Sequence, residues 1–363
     1  MSIPVAIIAG ARPNFMKIAP LLNVLTPDPD FAAILVHTGQ HYDENMSGRF
    51  FRDLDIPTPQ HHLEVGSGSH AQQTAEIMKR LEPVLAEERP AAIIVVGDVN
   101  STVAGALVAS KMGIRVIHVE AGLRSFDRSM PEEINRIATD AISDLFLVSE
   151  ESGRRNLLHE GVPEDRIHLV GNLMIDSLRR HLKQALQSDV LKNLAISGGS
   201  FGLVTLHRPA NVDDPRCLGE ILQALRIISA DLPLYWPMHP RSRARIAAGG
   251  FQLDERIHIV EPLGYLDFLC LQAKSAVILT DSGGVQEEST VLGIPCLTLR
   301  DNTERPATIE FGTNRLAGTR ADTIVAAWRQ SQNDPRHGKI PPYWDGQAGE
   351  RCHAVLRRFL ISA

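Results

Sequence analysis

Six short stretches of this chain put charged, hydroxyl or glycine residues directly after apolar runs. The richest is Ala276–Ser289. An apolar run from Ala276 to Leu279 ends at Thr280-Asp281, and Ser282-Gly283-Gly284 leads into a helical pattern from Val285 to Leu292. A strand–Ser-Gly-Gly–helix junction directs bare backbone N–H groups and the positive end of a helix at one point, which suits an anion such as phosphate. The glycines let ligand oxygens come close. Glu287 and Glu288 fall roughly 8–9 Å further along the axis, too far to meet that phosphate but able to accept from ribose hydroxyls. Read alone, the same residues also make a plain turn followed by two surface acids. In the first half, Arg12 and Lys17 flank the end of the Val5–Ala9 run and suit a diphosphate or a departing negative group; a solvated basic pair is the alternative. Asp98 and Glu120 each end an apolar run, as a catalytic carboxylate or, for Asp98, as a helix cap. Glu132 and Glu133 open a helical pattern, where at least one serves the helix dipole. His207 follows the Gly202–Leu206 run, placed for phosphate contact or proton transfer. His239 sits between two prolines, and Arg300 and Arg305 follow the last apolar run.

The elements that must position these residues are short apolar runs alternating with amphipathic helices. Strands are expected at Val5–Ala9, Ala33–His37, Ala92–Val96, Val116–Val119 and Leu145–Val148, then at Gly202–Leu206, Leu234–Pro237, Ile257–Val260, Ala276–Leu279 and Pro295–Leu299. Such alternation predicts parallel sheets covered by helices on both faces. The 363 residues suggest two doubly wound α/β domains with a cleft between them, residues 1–172 and 173–346. A continuous helix is expected over 176–194, a Ser197–Ser200 link after it, and a last helix over 347–363 that packs on either domain.

Apolar residues make up 44% of the chain, so it is not disordered. With 37 basic and 43 acidic residues and no basic block, nucleic acid is not expected as a partner. No apolar run approaches the ~20 residues of a membrane span, and no leader pattern opens the chain. Cys217, Cys270, Cys296 and Cys352 form no CxxC pair and read as thiols in a reducing compartment, so a soluble cytoplasmic protein is expected. Gly66-Ser67-Gly68-Ser69-His70-Ala71 matches a dinucleotide fingerprint in letters but follows no clear strand of a βαβ unit. There is no P-loop, no GxSxG elbow, and no His, Cys or acid spacing that suggests a metal site. The residues alone therefore point to a sugar nucleotide undergoing proton abstraction or group transfer, without an added cofactor.

Taken together, Gly10-Ala11-Arg12-Pro13-Asn14-Phe15-Met16-Lys17, Gly97-Asp98, His118-Val119-Glu120-Ala121-Gly122-Leu123-Arg124, Pro131-Glu132-Glu133-Ile134-Asn135-Arg136, His207-Arg208 and Asp281-Ser282-Gly283-Gly284-Val285-Gln286-Glu287-Glu288 resemble, in order, the bacterial UDP-N-acetylglucosamine 2-epimerases of the non-hydrolysing type. The resemblance implies a GT-B-like fold of two Rossmann-like domains facing a central cleft, and a cofactor-free isomerase. A base takes the carbon-2 proton while UDP leaves carbon 1; the glucal is reprotonated on the other face and UDP returns. By this resemblance Asp98, Glu120 and Glu132 are the acid/base candidates, with His207 beside the diphosphate or assisting proton transfer. Arg12, Lys17, Arg124, His239, Ser282, Gly283, Gly284, Glu288 and Arg305 are expected to bind the UDP-sugar. Members are commonly dimers acting in polysaccharide biosynthesis, which makes a homodimer the expectation. The family's usual Gly-Thr-Arg-Pro-Glu start is altered at Ala11 and Asn14, and the loop after Gln40-His41 reads longer than in substrate-activated members. Similar changes occur in relatives acting on UDP-linked diacetamido uronic acids. The alternatives are such a modified-sugar epimerase, a hydrolysing 2-epimerase, a GT-B glycosyltransferase or a plain nucleotide-sugar binder.

Overall fold

The computed structural model describes residues 2–39, 50–196, 198–238, 240–333 and 338–361, apart from the side chains of Arg12 and Arg241. The chain divides into two compact units, residues 1–180 with 342–363, and residues 181–341. Among the described residues the first unit holds seven parallel strands: β1 (Ile3–Ala9), β2 (Phe31–His37), β3 (His61–His62), β4 (Ala92–Val96), β5 (Arg115–Val119), β6 (Leu145–Val148) and β7 (Ile167–Leu169). Their order is β3-β2-β1-β4-β5-β6-β7. The second holds six: β8 (Gly202–Thr205), β9 (Leu234–Pro237), β10 (Ile257–Val260), β11 (Val277–Thr280), β12 (Cys296–Thr298) and β13 (Asn314–Leu316), in the order β10-β9-β8-β11-β12-β13. Every pairing is parallel. Each sheet is thus doubly wound, as the strand–helix alternation predicts.

In both units the chain reverses its direction of growth between two strands that are neighbours in space but not in sequence, β1 and β4 or β8 and β11. Above the carboxyl ends of such a pair the connecting segments diverge, and the gap they leave is where open α/β sheets bind ligands. The central strands are solid with apolar, mostly β-branched residues: Ile93, Ile94, Val95 and Val96 of β4 and Val277, Ile278 and Leu279 of β11 are all buried. Long runs of this kind have no polar side to show solvent, so they occupy sheet centres.

The helix expected over 176–194 is broken into Leu173–Ala185 and Val190–Asn193. Ser188 accepts from the Val190 N–H (3.1 Å), and the Asp189 carbonyl accepts from Asn193, so a short polar residue restarts the helix. The last helix, Ala348–Ile361, belongs to the first unit and packs against the helix Arg12–Leu25. Asp176 holds its start, accepting from the N–H groups of Ala348 (3.2 Å) and Gly349 (2.7 Å). No described helix is long and apolar enough to cross a membrane.

Candidate functional site

In the first unit, β1 ends at Ala9 and the chain turns through Gly10-Ala11 into the helix Arg12–Leu25, with proline in its first turn. Asn14 ties the switch point together. Its Oδ1 accepts from the N–H groups of Gly10 (3.2 Å) and Ala11 (3.1 Å), and its Nδ2 donates to the Val96 carbonyl (3.0 Å). Gly10 is required by close approach: a Cβ there would stand 2.0 Å from Ser101 Oγ. One turn on, Lys17 is buried, not a solvated surface cation, and forms an ion pair with Glu120.

Glu120 follows β5 in a left-handed conformation (φ 67°), which costs a side chain about 1–3 kcal/mol and persists where the surroundings demand it. Its N–H is held by the Leu147 carbonyl (2.9 Å) and its carboxylate by Lys17. Asp98 does not cap the following helix, which starts at Asn100 after Val99 and makes no side-chain cap bond. Its Oδ2 instead accepts from Arg136 Nη2 (2.7 Å) and Nε (3.1 Å). Arg136 also donates to Glu133 Oε2 (2.5 Å), and Glu133 accepts from the N–H groups of Ser125 and Phe126, both at 2.9 Å. Of the adjacent acids, then, the buried Glu133 braces a loop. Glu132 is half-buried and has no polar partner among the described residues.

Beneath these groups lies a second network. His118 is wholly buried; its Nδ1 is 2.6 Å from Asp140 Oδ1 and its Nε2 2.8 Å from the Gly97 carbonyl. Asp140 Oδ2 pairs with Arg124 Nη2 (2.7 Å) and accepts from the Gly122 N–H (3.1 Å). Burial pushes the Asp140 carboxyl up, but the charges and hydrogen bonds of His118 and Arg124 outweigh it and hold the group below its usual range. The guanidinium of Arg124, expected at the ligand, is buried and engaged by Asp140 and Glu160.

In the second unit Asp281, buried at the end of β11, organises the segment after β8. It accepts from the N–H groups of His207 (3.0 Å) and Arg208 (2.9 Å), from Asn211 Nδ2 (3.2 Å), and pairs with His207 Nδ1 (2.9 Å). Burial raises its pKa, yet His207 and Arg208 pull it below the ordinary value. The His207 ring itself is 58% exposed, free to meet a ligand while its Nδ1 side is anchored.

The helix Gly283–Leu292 then starts after Ser282, whose side chain makes no capping bond, so the N–H groups of its first turn stay open to an anion. Glu304 Oε1 lies 2.9 Å from where a Cβ on Gly283 would stand, so any larger residue there would have to displace the Glu304 carboxylate. Glu304 is held by Arg208 (3.1 Å) and Arg300 (2.8 Å). Arg305 Nε stands 2.7 Å from Glu287 Oε1, and both are buried. Glu288 is buried without a cation beside it. It accepts from Gln272 Nε2 (2.6 Å) and the Tyr265 hydroxyl (3.2 Å), and burial pushes its pKa up to about 7 against the pull of those two bonds.

Each unit thus gathers most of its candidates at one switch point. Lys17 with Glu120, and Asp98, share the first; His207, Ser282, Gly283 and Gly284 share the second. The Arg12 side chain, His239 and the loop after Gly39 lie outside the described residues. Sequence reasoning did not assign roles to Asn14, His118, Arg136, Asp140 or Asp281. His118 and Arg136 stood inside motifs already singled out; nothing local marks the partner of either. Among the described residues no group of three or more His, Cys, Asp or Glu side chains is placed to hold a metal.

The family model for UDP-N-acetylglucosamine 2-epimerase matches residues 23–357. The chain belongs to this family. It is 42% identical over 360 residues to the UDP-N-acetylglucosamine 2-epimerase of Methanocaldococcus jannaschii, covering 97% of this chain and 98% of the relative. The solved structure of an M. jannaschii UDP-GlcNAc 2-epimerase in complex with UDP-GlcNAc and UDP is similar with a TM-score of 0.92 at 42% identity, over 98% of this chain and 99% of that one. A UDP-2,3-diacetamido-2,3-dideoxy-D-glucuronate 2-epimerase of Pseudomonas aeruginosa is 40% identical over 354 residues, 97% of this chain and 98% of the relative. The fold of this epimerase family member is GT-B-like, two parallel sheets each flanked by helices.

Proposed function

We propose that the chain is an isomerase that interconverts UDP-N-acetylglucosamine and UDP-N-acetylmannosamine by elimination and return of UDP. The observation that carries this reading is the full-length match to an epimerase solved with UDP-GlcNAc and UDP. A carboxylate takes the carbon-2 proton, the C1–C2 double bond forms, and the C1–O bond breaks with its electron pair going to UDP. The steps then reverse with a proton delivered to the opposite face. The carbon acid is weak, so the enzyme must stabilise the departing diphosphate as well as place two proton-transfer groups.

Asp98, Glu120 and Glu132 supply the acid and base, with Lys17 holding Glu120 in place by an ion pair. Ser282, Gly283, Gly284 and His207 hold the diphosphate by backbone N–H groups and an imidazole, and Glu288 accepts the ribose hydroxyls. Arg12 and His239 complete the ligand-binding set, while Arg124 and Arg305 support it from behind through their buried carboxylate partners. The first unit moves the proton and the second keeps the leaving group until it returns. A cytoplasmic homodimer working in polysaccharide biosynthesis is the setting that fits the family.

The full-length match to the diacetamido-glucuronate epimerase supports a second reading, the same chemistry on a modified UDP-sugar. Incubation of each UDP-sugar in deuterated water, followed at carbon 2 by NMR, tests both. Deuterium incorporation with recovery of the UDP-linked epimer is expected. Release of free sugar assigns the hydrolysing reaction, and absence of exchange with either sugar removes the epimerase reading.

A further inference from the structure

The side chain of His118 reaches from the Glu120 segment to the Gly97–Asp98 segment, and the function proposed above gives it no task. The ring lies on β5 two residues before Glu120 and contacts the carbonyl of Gly97, the residue before Asp98. Gly97 is left-handed (φ 70°), and its N–H donates to the Val119 carbonyl (3.0 Å), so β4 turns sharply here. The Gly97 carbonyl is thereby directed into the sheet, away from water. A buried carbonyl needs a donor, and His118 Nε2 at 2.8 Å is that donor. A carbonyl oxygen only accepts, so Nε2 carries the hydrogen. On the other side, Nδ1 faces a carboxylate oxygen whose partner oxygen already receives Arg124 and the Gly122 N–H. Nε2 thus donates to Gly97 while Asp140 holds the ring at Nδ1, and the imidazole is clamped between the two.

We propose that His118 is a positioning residue for proton transfer: through its Nε2–H bond to the Gly97 carbonyl it sets the Gly97–Asp98 peptide, and hence the Asp98 carboxylate, relative to Glu120. Asp140, Arg124 and Glu160 hold the ring in the one orientation that makes this bond. Without the donor the Gly97 carbonyl is left orphaned, the peptide rotates to find a partner, and Asp98 moves with it. The inference rests on the epimerase reading for its kinetic consequence but not for its geometry.

Two substitutions separate the two ring contacts. In His118→Gln the amide nitrogen stands where Nε2 stood and keeps the Gly97 bond. In His118→Asn it stands where Nδ1 stood and keeps only the Asp140 side. A displacement of about 1 Å at a catalytic group costs about 100-fold. His118→Asn and His118→Phe are therefore expected to lower kcat for carbon-2 exchange about 100-fold, with KM and UDP affinity close to wild type, and His118→Gln to recover most of the loss. Retained UDP binding by calorimetry shows that the variants fold. Asn performing as well as Gln, Phe within about twofold of wild type, or losses in kcat matched by losses in UDP affinity would each overturn the proposal. The nitrogen-15 spectrum of the His118 ring reads the geometry without any substrate. A hydrogen on Nε2 in the folded wild type is expected, and its absence overturns the proposal. A wild-type enzyme inactive on every UDP-sugar but with Nε2 protonated sinks the function while the geometry stands.

Discussion

The two switch points of this molecule share a topology and differ in what bridges them. In the first unit a neutral amide, Asn14, joins the turn after β1 to the end of β4, accepting two N–H groups and donating to one carbonyl. In the second a buried carboxylate, Asp281, joins the end of β11 to the segment after β8 and collects donors only. The consequences run outward from these bridges. Around Asn14 the acids are paired with cations, Glu120 with Lys17 and Asp98 with the Arg136 that also holds Glu133, so each carboxylate is oriented. Around Asp281 the open feature is a helix start, while Glu287 and Glu304 are occupied by Arg305 and by Arg208 and Arg300. One fold plan thus carries paired carboxylates at one switch point and an open helix start at the other. Topology chose the place, and a few side chains chose the chemistry.

The largest test of that contrast lies in the first unit. Asp98→Asn and Glu120→Gln are each expected to slow carbon-2 exchange by about 10²–10⁴-fold, the usual worth of a positioned acid or base. UDP affinity, measured by calorimetry, should stay near wild type; an equal loss of UDP binding would erase the division between the units. The converse experiment is Gly283→Ala, whose Cβ would meet Glu304 Oε1 at 2.9 Å above the anion site. It should weaken UDP binding about tenfold or more, about 1.4 kcal/mol, while turnover at saturating substrate changes little.

A smaller effect sharpens the role of Glu288. Its pKa, raised by burial to about 7, predicts that UDP affinity rises by less than about tenfold between pH 6 and 8 as the carboxylate forms and can accept ribose hydroxyls. Glu288→Gln should flatten this dependence. Stability runs the other way. With the folded pKa above the unfolded one, the stability from this group is fully present below about pH 4.5 and is lost as pH rises through about 7. Urea unfolding of wild type and Glu288→Gln across that window checks the sign. The smallest effect is expected from Arg357→Ala. It removes the ion pairs of a partly exposed guanidinium on the last helix with Asp28 and Asp30 and should move the melting temperature least, and less still at high salt.

The fold was legible wherever the signal was local. Ten expected strands correspond to observed ones: nine have a neighbour on each side and are mostly apolar, and the edge strand β10 was legible from Ile257, Ile259 and Val260. The strands that went unseen, β3, β7 and β13, are all sheet edges. His61-His62 and Asn314-Arg315-Leu316 carry no apolar run, and Ile167-His168-Leu169 only a broken one, since an edge strand needs partners on one side only. The Ser69 segment that imitates a dinucleotide fingerprint is a helix start, with Ser69 accepting from the Gln72 N–H.

By itself the sequence determined the doubly wound class, the strand–turn–helix junctions and the residue types gathered at their ends. These depend on apolar runs, glycine and proline, which act over a few residues. Only the tertiary structure decided which of two adjacent acids, Glu132 or Glu133, is bound into a brace, why Glu120 adopts a left-handed backbone, and what Asp98 and His118 contact. Glu133 meets Ser125 eight positions back, Asp98 meets Arg136 38 positions on, and Glu120 meets Lys17 in the first helix. Such pairings are chosen by packing and by the need to satisfy buried polar groups, and neighbouring residues carry no record of that choice.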